Sequence, residues 1–315
     1  MVDLHPQHVA FLFPGQGSQS VGMGRELAEI YPVVKQTFHE ADEILNINIS
    51  KTCWEGPEDQ LNDTINTQPA LLVHSVAVLR AFQEKMPGFQ PLYVAGHSMG
   101  EVSALVAAKA ATFSEALRLV RIRGESMKQA GEILPGGMAA IIGLDIPTLD
   151  RICSDASQNT KEIVQVANDN CPGQVVISGA RKALEYAVTL SQQAGARRAV
   201  LLAVSIAAHS PLMIYAQTEF NRAVLATPIV NPAIPIIGNV NANPLQHKEQ
   251  IRTDLQDQLT HRVRWTESIQ YMVSQGVNTF IEIGNGSVLT GLVKRIDRHV
   301  ETINLGAPID FNQIT

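Results

Sequence analysis

The sequence predicts an α/β protein in which a helix-covered parallel sheet is interrupted by a smaller inserted unit. Three observations carry the prediction. Short all-apolar runs alternate with segments of helical period. The first such run, 9–13, stops at once on Pro14, Gly15 and Gly17. Between about 131 and 200 the element order changes texture. The 315 residues are 45% hydrophobic and 17% charged, which excludes a solvated, disordered chain.

The elements follow in order. VAFLF at 9–13 reads as a strand buried on both faces. Residues 68–86 show helical periodicity, 91–96 return to a strand, and a glycine-bounded helix spans 100–110. From Gly136, a strand at 138–144 precedes a helix at 147–157. Strands at 163–168 and 174–179 then flank a turn at Asn170–Gly173, and a helix at 181–194 leads to the run 198–205. This is βαββαβ, the order of a ferredoxin-like unit, at the usual 60–70-residue scale of about one small domain. Strands at 233–240, 279–283 and 302–305 then alternate with helices at 248–259, 266–275 and 288–297. The expected division is a large domain of 1–130 and 201–315 with an inserted subdomain of 131–200.

Composition narrows function. With 24 Lys+Arg against 30 Asp+Glu the net charge is −6, so no global positive field draws a nucleic acid. Cys53, Cys153 and Cys171 are widely spaced and suit reduced thiols, not a disulfide framework or a zinc site. MVDLHPQHVAFLF lacks a basic leader region, and no apolar stretch approaches the roughly 18 residues of a membrane span. A cytoplasmic protein with no membrane partner and no metal is expected.

Gly96-His97-Ser98-Met99-Gly100 is a GxSxG between a strand and a helix, the setting in which a serine on a tight turn is exposed at a helix N-terminus. The same serine would also serve as an ordinary helix cap. A hydroxyl nucleophile needs a base. Of nine histidines, His209 leaves the apolar run 199–207 at a turn, whereas His97 adjoins the serine and is expected to support the elbow. Asp145, Asp150, Asp155 and Asp169 make poor third members because all lie in the insertion; an imidazole oriented by a carbonyl, a dyad, is the better reading. The turn Phe13-Pro14-Gly15-Gln16-Gly17 suits an oxyanion hole, a phosphate cradle or a plain tight turn. On the helix 114–129, Ala116, Leu119, Val120, Arg123 and Met127 share one stripe at 100° per residue. Arg123 therefore faces inward and needs an anionic partner, a protein carboxylate or a substrate's.

Together with VRWTESI at 263–269 and GNGSVLTGLVKRI at 284–296, the motifs FPGQGSQ (13–19), GHSMGE (96–101), Arg123-Gly124 and His209-Ser210-Pro211 give a chain that resembles the malonyl-CoA:acyl-carrier-protein transacylases over nearly its whole length. The resemblance implies a hydrolase-like α/β domain with an inserted ferredoxin-like subdomain. It implies Ser98 as the acylated nucleophile, His209 as its base, and Gln258 as the residue whose carbonyl orients the histidine. Gln16 and the Met99 N–H would form the oxyanion hole, and Arg123 would bind the malonyl carboxylate, with His97 beside the substrate. The expected cycle is ping-pong, from malonyl-CoA to the phosphopantetheine thiol of acyl carrier protein, with no cofactor in the enzyme.

Two residues depart from the family pattern. Met99 replaces a commoner leucine, and Ala208 stands where a phenylalanine or serine often precedes the histidine. The small Ala208 leaves space beside the malonyl C2 carbon, so tolerance for 2-alkyl malonyl groups is expected. Rival readings are a serine hydrolase using the same dyad and a catalytically silent carrier-protein-binding subunit. Arg181-Lys182, Arg197-Arg198 and Lys294-Arg295 with Arg298 are candidate contacts for the acidic carrier protein. A chain without further domains is expected to act as a monomer.

Overall fold

The computed structural model describes residues 4–314. The first three residues of the N-terminal stretch MVDLHPQHVAFLF lie outside that range. Ten strands are present among the described residues: β1 (Val9–Phe13), β2 (Tyr93–Gly96), β3 (Gly136–Ile142), β4 (Val164–Cys171), β5 (Gln174–Ala180), β6 (Arg198–Leu201), β7 (Ile236–Ile237), β8 (Pro244–Leu245), β9 (Thr279–Ile283) and β10 (Glu301–Leu305).

Six of them form one mostly parallel sheet in the order β10-β9-β1-β2-β7-β8, with only β8 antiparallel to its neighbour. Alternation along β1 divides its side chains between two layers. Val9, Phe11 and Phe13 enter the larger core with Leu71, Phe82 and Leu117, while Ala10 and Leu12 join Trp265, Met272 and Leu292 on the other face. Burial on both faces explains why the run is apolar throughout. The helix Thr64–Lys85 is buried continuously from Thr67 to Leu79, so it is a central helix and not the one-sided amphipathic helix its period implies.

The remaining four strands make a separate antiparallel sheet, β4-β5-β3-β6. One face packs on the helices Ile146–Thr160 and Arg181–Gln193 through Ile141, Ile177, Leu149 and Leu184. A reciprocal pair of backbone bonds ties this unit to the rest: Asp169 N–H to the Val263 carbonyl at 2.9 Å and Val263 N–H to the Ala167 carbonyl at 2.8 Å.

Two expected strands are shorter than their apolar runs. The run 233–240 yields only Ile236–Ile237, because Pro232 precedes it and Pro235 interrupts it, and a proline has no N–H to give to a ladder. The run 198–205 stays paired to Leu201; beyond the Leu202 N–H bond to Met138 the chain leaves the sheet towards His209. Four helices between 25 and 62 have no counterpart in the sequence reading: three span seven residues or fewer, while Pro32–Leu45 does carry a helical stripe, Val34, Thr37, Phe38 and Ala41, that the reading misses.

Candidate active site

Register brings two loops together. Phe13 at the end of β1 pairs with Gly96 at the end of β2, so the turn bearing Gln16 and the turn bearing Ser98 leave the sheet side by side at its carboxyl edge. The Ser98 turn is tight. A Cβ on Gly96 would lie 1.9 Å from the Gly100 carbonyl carbon, and one on Gly100 would lie 2.2 Å from the Phe13 oxygen, so both flanking positions admit only glycine. Ser98 itself has φ +53, the left-handed region that a residue with a side chain rarely adopts. Met99 caps the helix Gly100–Ala107, which leaves its N–H outside the helical ladder.

Ser98 Oγ lies 2.8 Å from His209 Nε2. His209 is buried, also with a left-handed backbone (φ +58), and its Nδ1 lies 2.8 Å from the Gln258 carbonyl oxygen. A carbonyl only accepts, so Nδ1 carries the proton and Nε2 presents its lone pair to the serine. Burial, and next the Arg123 charge, push the imidazole down to about 3, so it is neutral at physiological pH. Gln165, on β4, donates from Nε2 to the carbonyls of His209 (2.8 Å) and Thr260 (3.1 Å), fastening this loop from the antiparallel unit.

Arg123 is 1% exposed, on the inward stripe of the helix Phe113–Ile133. Nη2 donates to Ser98 Oγ at 3.1 Å and to Gln258 Oε1 at 2.8 Å, and Nη1 donates to Gln68 Oε1 at 2.9 Å. Its Nε–H has no partner among the described residues. Burial lowers its pKa to about 10, while Glu101 acts in the opposite direction, so the cation persists. The Gln258 amide donates to Glu101 Oε2 at 2.7 Å and to the Ser98 carbonyl at 3.1 Å. The Glu101 and Asp254 carboxyls face each other at hydrogen-bonding distance; burial, then the partner's charge, raises Glu101 well above the carboxylate range. Such a pair holds one shared proton.

The other sequence-selected residues fall around the same space, a cavity of about 860 Å³ between the carboxyl edge of the large sheet and the open face of the antiparallel sheet. Gln16, Met99, Ala208 and His97 line one side, Met138, Asn170 and Val176 the other. Gln16 Oε1 accepts from Thr64 Oγ1 at 3.0 Å, and His97 Nε2 bonds Asn170 Oδ1 at 2.8 Å. Three of the insertion's aspartates are engaged elsewhere: Asp145 caps a helix, Asp150 pairs with Arg262, and Asp169 accepts from Thr266. Gln68, Asn239 and Asp254 were missed by the sequence reading, and Glu101 stood in a quoted motif without a role. Only Asn239 carried a local signal, a polar residue ending an apolar strand.

Comparison with known proteins gives a consistent picture. Residues 10–305 match the family model described as acyl transferase domain. The malonyl CoA-acyl carrier protein transacylase of Bacillus subtilis (strain 168) is 46% identical over 300 residues, 95% of this chain and 94% of that protein. Its Escherichia coli (strain K12) counterpart is 43% identical over 298 residues, again 95% and 94% of the two chains. Among solved structures, an acyl carrier protein S-malonyltransferase from Vibrio cholerae is 43% identical, with a TM-score of 0.94 over 98% of this chain and 100% of that one. A type II polyketide synthase acyl-carrier protein in complex with its malonyl-transacylase also matches, at 43% identity and TM-score 0.94, covering 97% of this chain and 98% of that one.

Proposed function

The chain belongs to the acyl transferase family, among the malonyl-CoA:acyl-carrier-protein transacylases, and on that premise we propose that it moves a malonyl group from malonyl-CoA to the phosphopantetheine thiol of acyl carrier protein through an ester on Ser98. The observation that carries the mechanism is the meeting of two groups on one hydroxyl. Ser98 Oγ contacts a neutral imidazole nitrogen at 2.8 Å and a guanidinium nitrogen at 3.1 Å, a base and a carboxylate-binding cation.

In the first half-reaction His209 Nε2 takes the Ser98 proton as Oγ attacks the thioester carbonyl. The oxyanion accepts from the Met99 and Gln16 N–H groups, each worth about 2.7–4 kcal/mol in comparable acyl-transfer sites. The tetrahedral intermediate collapses, and the CoA sulfur leaves with the proton from His209. In the second half-reaction the carrier protein's thiol gives its proton to His209 and attacks the ester carbonyl; Ser98 leaves and is reprotonated. The Gln258 carbonyl keeps the Nδ1–H tautomer throughout. Arg123 holds the malonyl carboxylate, its guanidinium lying beside Ser98 Oγ through Nη2. That carboxylate offsets the guanidinium charge that depresses His209, so the correct substrate strengthens its own base. No metal or cofactor enters the cycle.

We read residues 131–200 as a ferredoxin-like subdomain inserted into a hydrolase-like catalytic domain of 1–130 and 201–315. The βαββαβ order and the helices packed together on one face of β4-β5-β3-β6 support this. Of the basic clusters, Arg181 is paired with Glu185, whereas Arg295 bonds the cavity-lining Gln174, which supports 294–298 as the carrier-protein contact. The relatives' names favour transfer over hydrolysis or a silent subunit. The test is malonyl-CoA turnover with and without phosphopantetheinylated carrier protein. Malonyl-carrier product with slow CoA release in its absence supports transfer; equal CoA release in both overturns it.

A further inference from the structure

β7 pairs in parallel with β2, Ile237 against Ala95. The chain continuing past β7 therefore runs beside the chain that turns into Ser98, and Asn239 sits where the backbone ladder has ended. It is 1% exposed. Its Oδ1 accepts from the Ser98 N–H at 2.7 Å, and its Nδ2 donates to the Gly96 carbonyl at 2.8 Å. One side-chain amide thus continues the sheet's pairing for the two backbone groups on either side of His97.

Asn239 is itself fixed. Its N–H donates to Asp254 Oδ2 at 3.1 Å, and its carbonyl accepts from the Arg264 N–H at 2.9 Å. The amide is matched to its task, because only a group with an acceptor and a donor side by side serves an N–H and a C=O together. A left-handed serine relaxes by rotating the peptide planes that lead into and out of it; the bond to the Ser98 N–H holds the His97–Ser98 plane, and the bond to the Gly96 carbonyl holds the Gly96–His97 plane before it. They also occupy the Ser98 N–H, which leaves the Met99 N–H as the turn's donor to an oxyanion.

We propose that Asn239 is a positioning residue for acyl transfer: it holds the Ser98 turn so that Oγ meets His209 Nε2 and Met99 N–H faces the reacting carbonyl. It touches no reacting atom. The inference rests on Ser98 being the acylated residue, so wild type and Ser98→Ala are run alongside; absence of a wild-type ester would indict that reading and not this one.

The experiment is rapid-quench measurement of Ser98 acylation by malonyl-CoA, normalised to the titrated fraction of acylable protein, for Asn239→Ala and the near-isosteric Asn239→Asp. The aspartate retains an acceptor for Ser98 and loses the donor to Gly96. The expected result is a maximal acylation rate at least fivefold lower in both, with half-saturation within threefold of wild type. A smaller fall in rate, or a loss confined to half-saturation or to the titrated fraction, overturns the proposal. Amide exchange on the unaltered protein decides independently of variant folding. Slow exchange at the Ser98 N–H is expected, and exchange at the rate of a free amide contradicts the proposal.

Discussion

Arg123 donates to Ser98 Oγ at 3.1 Å, so the cation assigned to the substrate's carboxylate already touches the hydroxyl assigned to its acyl group. On the proposed assignment, one buried cluster would register both ends of a malonyl group. A planar fork suits this arrangement, since its two terminal nitrogens bond Gln68, Gln258 and Ser98 Oγ at once. Arg123→Lys keeps the charge and loses the fork. It should lower kcat/KM for malonyl-CoA by on the order of 10- to 100-fold, the worth of one or two charge-assisted hydrogen bonds. Steady-state kinetics with malonyl-CoA and acetyl-CoA checks this, with a smaller effect expected on the uncharged acyl group.

The lowered pKa of His209 fixes the acid limb of the pH profile. A general base works in its neutral form, above its pKa, so pushing the imidazole down to about 3 moves the limb to lower pH. The kcat/KM for Ser98 acylation should therefore stay level well below the ordinary imidazole value of about 6.5. In the substrate complex the malonyl carboxylate offsets the Arg123 charge, so the limb for the maximal acylation rate should lie at higher pH than that for kcat/KM. Coincident limbs near 6.5 would argue against both statements.

Glu101 and Asp254 predict a stability trend of the opposite kind. Burial first, and for Glu101 the Asp254 charge second, raise both carboxyls in the folded protein. The folded protein then keeps a proton that the unfolded chain releases near pH 4 to 4.5 in round terms, so this stabilisation is full below that range and declines as pH rises through the folded pKa. Glu101→Gln replaces the shared proton with an amide N–H and should flatten this decline of unfolding free energy with rising pH. Glu101→Ala strips Gln258 Nε2 of a buried acceptor and should cost about 1–3 kcal/mol. Urea unfolding across pH measures both.

Ala208 lines the cavity immediately before His209. With a methyl group in place of a larger side chain, methylmalonyl-CoA should acylate Ser98 with an efficiency comparable to that of malonyl-CoA. A preference for malonyl above roughly a hundredfold, more than one methyl in a pocket explains, would end this expectation.

What was legible in the sequence follows from the range of the interactions involved. The Ser98 turn was readable because its constraints are local: a strand, a helix, and two glycines that steric contact requires. Arg123 was readable from helical period alone, as its burial on the Met127 stripe shows. Gln258 entered only through resemblance, since its contact to His209 uses a backbone carbonyl that any residue possesses. Asn239, Gln68 and Asp254 bond to residues 141, 55 and 15 positions away, and although Asn239 stands out as a polar residue ending an apolar run, nothing in composition or period says which distant partner any of the three meets.

The most direct measurement is intact-protein mass after brief exposure to malonyl-CoA, for wild type, Ser98→Ala and Arg123→Ala. Wild type should gain one malonyl group, Ser98→Ala none, and Arg123→Ala little in the same time. Retention of the adduct in Ser98→Ala, or no adduct on wild type while CoA is steadily released, would contradict a stable malonyl-serine as the intermediate of transfer.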